Sequence, residues 1–152
     1  MKRYADLSGN RPAGITKGPD GSLWFTNNFG NSIGRITTKG AVTSYTAAGI
    51  SGPAAIVDGP DGALWFANEF ASSIGRITTA GVITHFSDPL IAIPRGITAG
   101  PDGALWFVVL HGVGRTTPKG PVTRPAPHPE PHHDRTTTTP EGTSCHPARP
   151  RM

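Results

Sequence analysis

Residues 18–25 read Gly-Pro-Asp-Gly-Ser-Leu-Trp-Phe, and the same stretch returns as residues 59–66 and 100–107 with alanine in place of serine. The repeat spacing is 41 residues, which is the length of one blade of a β-propeller. Pro-Asp-Gly favours a hairpin turn, because proline presets φ, aspartate caps its own backbone and glycine accepts the left-handed conformation. Each repeat is therefore predicted to contain a tight turn followed by a strand.

Four strand-like runs fill each period. In the first repeat they are residues 12–16, the Leu-Trp-Phe run, residues 32–37 and residues 41–45, with a turn between each pair. Apolar side chains occupy both alternating sets of the Leu-Trp-Phe run, which predicts a strand covered on both faces by neighbouring blades. We predict an all-β fold, a β-propeller fragment of about three four-stranded antiparallel blades.

The predicted domain boundaries follow the repeat. An incomplete propeller is expected over residues 1–123; Tyr4 lies one period before Tyr45, so residues 1–8 are expected to be the remnant of a preceding blade. The three blades are expected near residues 12–46, 53–87 and 94–123.

The third repeat and the residues after it depart from the pattern. Arg115 follows Arg35 by 80 residues instead of 82, so the intervening hairpin has lost two residues. Residues 124–152 are rich in Pro, His, Thr and Arg and contain almost no large apolar side chain. We predict that this tail is disordered, since burial cannot offset its ordering entropy. A frameshift in place of a further blade is our hypothesis for its origin.

Composition and charge exclude several function classes. The chain has 152 residues, and its 20 Gly and 16 Pro with 16% charged residues favour turns and strands over helices. The net charge is +4, but the 14 Lys and Arg are scattered, which argues against nucleic acid as a partner. A single cysteine forms no internal disulfide, and no apolar run is long enough for a membrane span or a secretory signal. We expect a cytoplasmic protein with no membrane partner.

The motifs Pro-x-Gly-Ile-Thr, Gly-Pro-Asp-Gly-x-Leu-Trp-Phe and Ile-Gly-Arg-Ile-Thr together resemble the repeats of the virginiamycin B lyases, also called streptogramin B lyases. The resemblance covers about residues 1–123 and implies a seven-bladed propeller. It also implies a magnesium-dependent elimination that opens a cyclic depsipeptide antibiotic at its ester. In such a reaction the metal polarises the ester carbonyl and a histidine removes the α-proton.

The family's catalytic histidines, in a Pro-His-x-Ile form of the strand-initial motif, are not found in this chain. The matching residues are Ala13, Ala54 and Arg95, and those matching a metal-binding glutamate before that motif are Arg11, Gly52 and Ile93. A second metal-binding glutamate of the family matches Asn27 and Asn68, and Glu69 lies one place later. By resemblance, Glu69 is the candidate Mg²⁺ ligand and Arg95 the candidate substrate-binding residue. We expect no catalytic residue and no bound Mg²⁺ in this chain.

Other polar residues have structural explanations. His85 matches Ser44 and is predicted to face solvent, and His111 is expected to be incidental. Arg35 and Arg76 repeat at the blade period, which favours packing or an ion pair between blades over substrate binding. Aspartates of the Pro-Asp-Gly turns are expected to form turns: Asp20, Asp61 and Asp102.

In the tail, clustered side chains offer at most an adventitious metal site: His128, His132, His133 and Asp134. Cys145 has no basic neighbour to activate its thiol.

Two functions remain open from the sequence. The first is an inactive fragment of a lyase-like propeller, whose family ligand is a cyclic depsipeptide antibiotic. The alternative is a non-catalytic scaffold or binding module that associates with itself, because three blades cannot close a ring and would expose apolar faces.

Overall fold

The computed structural model describes residues 1, 2, 4, 10–119 and 123. Within those residues it contains eleven β-strands and no helix, and so none long and apolar enough to cross a membrane. The prediction of a blade remnant at residues 1–8 falls mainly outside the described residues. The predictions for the tail, including His128, Cys145 and the other histidines, lie wholly outside them.

The strands form three antiparallel sheets in which sequence neighbours are hydrogen-bonded. Blade 1 contains β1 (Pro12–Lys17), β2 (Leu23–Asn27), β3 (Ser32–Ile36) and β4 (Val42–Tyr45). Blade 2 contains β5 (Pro53–Asp58), β6 (Leu64–Asn68), β7 (Ser73–Ile77) and β8 (Ile83–Ser87). Blade 3 contains β9 (Ile97–Ala99), β10 (Leu105–Val109) and β11 (Gly112–Thr116). The all-β prediction is confirmed, and the repeat gives the arrangement of a partial propeller.

Blade 3 differs from the predicted four strands. Its sheet has three strands among the described residues, and Thr123 adds one bridge to the free edge by exchanging both backbone hydrogen bonds with Arg115. The two residues missing from this repeat come out of the turn between β10 and β11. Val109 pairs directly with Gly112 there, whereas Asn27 pairs with Ser32 in blade 1. The ladder itself therefore keeps its register.

Each blade has two apolar faces of different kinds. The Leu face carries the Leu and Phe of the Leu-Trp-Phe motif, and the Trp face carries the Trp. The Trp face of blade 1 packs on the Leu face of blade 2 through one buried cluster: Trp24, Ile33, Ile50, Ile56, Leu64, Phe66 and Ile77. The Trp face of blade 2 packs on the Leu face of blade 3 through another: Trp65, Ile74, Ile91, Leu105 and Phe107. Burial of these side chains holds consecutive blades together.

The glycine of Ile-Gly-Arg has a packing cause in every blade. Gly75 lies opposite Phe66 in the β6–β7 ladder, and a Cβ at this position would overlap the Phe66 ring. Gly34 and Gly114 meet Phe25 and Phe107 in the same way. The glycine therefore leaves room for the phenylalanine ring of the neighbouring strand in the same blade.

Candidate functional site

One polar network is repeated in all three blades. In blade 1, Asp20 accepts hydrogen bonds from Trp24 Nε1 at 3.0 Å and from Arg35 Nε at 2.6 Å. The corresponding distances are 2.9 and 2.7 Å at Asp61, and 3.0 and 2.9 Å at Asp102. Each arginine also lies over the face of the tryptophan that donates to the same aspartate, with its guanidinium carbon 5.9 Å from the ring centroid. The network anchors a turn to a ladder and leaves no carboxylate free for chemistry.

The structure confirms the structural role of these residues and corrects one detail. Asp20 also accepts the backbone N–H of Ser22 at 3.2 Å, as expected of an aspartate that forms a turn. Arg35 and Arg76 do form ion pairs, but within their own blades. The expectation of a pair between blades is wrong, because Trp and Arg are ladder partners and both side chains reach back to the turn of the same sheet.

The carboxyl groups of these networks are held ionised. Burial raises the pKa of Asp20 and of Asp61, but the hydrogen bonds from tryptophan and arginine outweigh it, so each pKa lies below its usual value. The Trp106 and Arg115 hydrogen bonds lower the pKa of Asp102 to about 2. Carboxylates of this kind are poor proton donors or acceptors near neutral pH.

His85 does not face solvent, so that prediction is wrong. Both of its ring nitrogens are buried and have no hydrogen-bond partner among the described residues. The ring meets Phe66 edge-on, with centroids 6.4 Å apart, and lies against Gly49. His85 lies on the Leu face of blade 2, and the connection from blade 1 covers it there. Its counterpart Ser44 lies on the Leu face of blade 1 and is exposed. His111 is exposed in the short β10–β11 turn.

A cavity of about 370 Å³ opens where the first strands of the blades begin; we call it the first-strand pocket. It is lined by Arg11, Ala13, Asn28, Phe29, Ala54, Glu69, Phe70 and Arg95. Arg95 Nε lies 3.0 Å from Glu69 Oε1, with the Glu69 side chain 17% exposed and that of Arg95 71% exposed. The structure thus brings both sequence-predicted site residues into one pocket as an ion pair.

Backbone contacts position the pocket. Residues after the second strand of a blade bond to the residues before its first strand: Asn28 N–H donates to Arg11 O at 3.0 Å, and Glu69 N–H donates to Gly52 O at 3.0 Å. Neighbouring blades are joined here too, since Ala55 N–H donates to Arg95 O at 3.2 Å. The pocket wall is therefore built from the starts of β1 and β5 and from turns that these backbone hydrogen bonds tie to the strands.

The position before each first strand is left-handed. Arg11 has φ of 41°, Gly52 of 61° and Ile93 of 48°, a conformation that costs a side-chain residue energy and suits glycine. By the resemblance given above, these are the positions expected to match a metal-binding glutamate. Of the three, Arg11 lines the pocket, with its guanidinium 4.9 Å from the centroid of the Phe29 ring.

All three residues at the histidine-matching positions line the pocket: Ala13, Ala54 and Arg95. Sequence reasoning missed Phe29 and Phe70, although their 41-residue spacing was a usable signal. The described residues contain no group of three or more His, Cys, Asp or Glu that could hold a metal ion. Glu69 supplies a single carboxylate, already paired with an arginine, so the pocket as described does not fit Mg²⁺, which needs several oxygen ligands.

A second open region covers the Leu face of blade 1. It is a cavity of about 670 Å³, lined largely by apolar side chains of β1 and β2 and by the start of the chain. Ile15 is 66% exposed and Leu23 is 40% exposed in this region. It is a surface for packing and carries no cluster of reactive groups.

Comparison with known proteins identifies the family. The model of the virginiamycin B lyase family matches residues 2–143, which includes part of the tail in which we found no repeat. A streptogramin B lyase structure has 40% sequence identity and a TM-score of 0.75, covering 80% of this chain and 43% of that one. Selenomethionine-substituted virginiamycin B lyase from Staphylococcus aureus has 44% identity and a TM-score of 0.75, with the same coverage.

A catalytically inactive variant of the Staphylococcus aureus lyase with quinupristin has 45% identity and a TM-score of 0.72, covering 79% of this chain and 43% of that one. This chain thus spans less than half the length of these solved relatives. The family match over most of its residues, together with the repeated blades, shows that the chain belongs to the virginiamycin B lyase family.

Proposed function

We propose that this chain is a non-catalytic member of the lyase family, whose first-strand pocket contacts a ligand without converting it. The observation that carries the proposal is the lining of that pocket. Its eight residues include no histidine, and its one carboxylate, Glu69, is ion-paired with Arg95.

The elimination implied by the family resemblance needs a base about 3 Å from the proton it removes. At the positions that match the family's histidines, alanine has no proton acceptor, and the arginine stays protonated at neutral pH. The ring nitrogens of the half-buried His85 are enclosed on the Leu face of blade 2 and His111 lies in an exposed turn, and neither histidine lines the pocket. The described residues of the pocket therefore offer no histidine for this step, and its one carboxylate is held by Arg95.

The same pocket keeps features that suit binding. Phe29 and Phe70 are 57% and 61% exposed, and Asn28 and the two arginines supply hydrogen-bond donors beside them. Exposed aromatic rings next to a few polar groups are typical of ligand sites. We propose a streptogramin B-type cyclic depsipeptide as the ligand class, since a relative is described with quinupristin.

The test is a direct assay of the purified chain with quinupristin and Mg²⁺, followed by chromatography to separate cyclic from linear antibiotic. The Staphylococcus aureus lyase serves as the positive control. We expect binding in equilibrium dialysis and no linear product. Magnesium-dependent linear product that disappears in Glu69→Gln would overturn the proposal of a non-catalytic pocket. Absence of binding would overturn the ligand class, and binding that is unchanged in Phe70→Ala would overturn the assignment of the ligand to this pocket.

A second candidate function is a scaffold that associates with itself. The observation in its favour is the exposed apolar face of blade 1, with Ile15 and Leu23 open to solvent although their counterparts in blade 2 are buried. Contiguous exposed apolar surface is typical of protein interaction sites. Its test is the mass of the chain in solution, independent of any antibiotic.

A further inference from the structure

Among the described residues no blade covers the Leu face of blade 1, whereas the equivalent face of blade 2 packs against blade 1. Five apolar residues of this face stand one repeat before five residues of blade 2 that pack against blade 1. The set in blade 1 is Ile15, Leu23, Phe25, Ile36 and Val42, of which Ile15, Leu23 and Val42 are exposed, and the covered set in blade 2 is Ile56, Leu64, Phe66, Ile77 and Ile83. Every position keeps an apolar side chain, so the open face has the chemistry of the covered one.

The Trp face of blade 3 is the second open face. Val108 pairs with Val113 at the ladder position where Thr26 pairs with Ile33 in blade 1. Val108 is 48% exposed and Val113 is 44% exposed, whereas Ile33 is fully buried. Among the described residues, no blade covers this face.

The aromatic rings show the same complementarity in more detail. Trp24 stacks on Tyr45 with centroids 5.4 Å apart, and Trp65 stacks on Phe86 at 5.1 Å. Trp106 has no stacked ring among the described residues.

Tyr4 lies one period before Tyr45, and its ring stacks on no tryptophan among the described residues. It lies against Gly40 as Tyr45 lies against Gly81, and it is 44% exposed. Tyr4 therefore occupies the position of a stacking ring, and Trp106 is a tryptophan that lacks one.

We propose that copies of this chain associate head to tail, with the Trp face of blade 3 in one copy packed on the Leu face of blade 1 in the next. Tyr4 of one copy then stacks on Trp106 of the other. A second copy is the occupant because each open face is matched by a face that this same chain presents, and the blade 1–blade 2 and blade 2–blade 3 contacts show how the two kinds of face fit.

Two such contacts allow a pair to close on itself. The described blades of two copies number six, within the roughly four to eight at which propellers close. A head-to-tail contact that closes gives a discrete pair, and one that does not close gives larger open assemblies. This proposal deepens the scaffold candidate above and does not depend on the antibiotic.

The test is size-exclusion chromatography with light scattering on the full chain, with far-ultraviolet circular dichroism to confirm folding. Ile15→Lys changes the Leu face and Val113→Lys changes the Trp face. Val82→Lys is the matched control, because Val82 is 60% exposed but lies in the turn before β8, away from both faces. We expect a pair for the parent chain and for Val82→Lys. A buried unpaired charge should weaken association by about tenfold or more in each face variant.

Mixing the two face variants tests the head-to-tail geometry itself. Ile15→Lys keeps an intact Trp face and Val113→Lys keeps an intact Leu face, so a one-to-one mixture should form a pair through one intact contact. If instead two Leu faces met, Val113→Lys alone would still pair as the parent chain does, which would contradict the proposal.

The remaining outcomes also decide. A folded parent chain that stays monomeric through the micromolar range overturns the proposal. Assemblies larger than a pair support it if both face variants dissolve them and Val82→Lys does not, and contradict it if either face variant leaves them unchanged. Linear antibiotic in the lyase assay would overturn the non-catalytic proposal without affecting this one.

Discussion

Leu64 and Leu23 occupy the same place in the same motif, yet Leu64 is fully buried and Leu23 is 40% exposed. Blade 2 has a blade on each side, whereas the Leu face of blade 1 has none among the described residues. Trp65 and Trp106 show the same contrast on the other face, fully buried in blade 2 and half-buried in blade 3. Burial in this protein is thus set by the neighbouring blade and not by the motif.

Local geometry does not follow that contrast. The Asp–Trp–Arg network keeps nearly the same distances in all three blades, although one of them is much more open to solvent. The motif therefore determines the turn and the ladder, and the neighbour determines how much those contacts stabilise the fold. Paired substitutions at equivalent positions separate the two effects.

The largest difference is expected for the leucines. Leu64→Ala removes a fully buried side chain and should lower the free energy of unfolding by about 3 kcal/mol. Leu23→Ala should cost about 1 kcal/mol or less, because that side chain is already partly in water. Urea unfolding at a dilution where the chain is monomeric measures both. Equal losses would contradict the role given to the neighbouring blade.

A smaller difference is expected for the aspartates. Asp61→Ala leaves the Nε1 donor of the fully buried Trp65 without its acceptor and should cost about 2 kcal/mol. Asp102→Ala should cost clearly less, since water can reach the half-buried Trp106. Asp61→Asn retains an acceptor and serves as the control. Thermal unfolding followed by circular dichroism measures all three, and a larger loss in Asp102→Ala would count against the comparison.

The turn glycines should show no difference between blades. Gly21, Gly62 and Gly103 have φ between 71° and 75°, and a Cβ at any of them would meet nothing within 4 Å. Each substitution to alanine should therefore cost about 1 kcal/mol from backbone strain alone. Parallel urea titrations of the three variants test this expectation. A cost that grows with the burial of the blade would mean that the turns also depend on their neighbours.

The smallest effect is expected from acid. The pKa of each motif aspartate is lower in the folded chain than its ordinary value of 3.8. The folded chain therefore binds fewer protons than the unfolded chain in this pH range. The stability contributed by these groups is complete above that value and is lost as pH falls toward the pKa of about 2 at Asp102. Acid unfolding of Asp102→Asn, compared with the parent chain, should show a shallower dependence over this window. An unchanged profile would argue against the network at Asp102.

Much of the fold could be predicted from the repeat, because the turn chemistry of Pro-Asp-Gly and the alternation of Leu-Trp-Phe act locally. Even the shortened third hairpin was readable, since its loss falls in the turn and spares the pairing of Trp106 with Arg115. His85 was misplaced because alternation along a strand does not say which face a neighbouring connection covers. The partner of Arg35 was misplaced because the sequence does not show how far its side chain reaches along the sheet.

The candidate site was less accessible to sequence reasoning. Glu69 and Arg95 were selected by family resemblance, but their contact joins consecutive blades and depends on how these blades pack. Phe29 and Phe70 recur at the blade spacing, yet exposure in a shared pocket follows only from the three-dimensional placement of two loops. Positions set by the repeat are visible in a sequence, whereas contacts between repeats require the structure.

The central claim is that blades 1 and 3 leave open the two complementary halves of an interface that blade 2 completes on both sides. Amide hydrogen exchange of the full chain at low and high concentration tests this most directly. We predict that β6 is the best protected central strand and that its exchange is independent of concentration, while protection of β2 and β10 rises as copies associate. Equal protection of the three strands at both concentrations would contradict it.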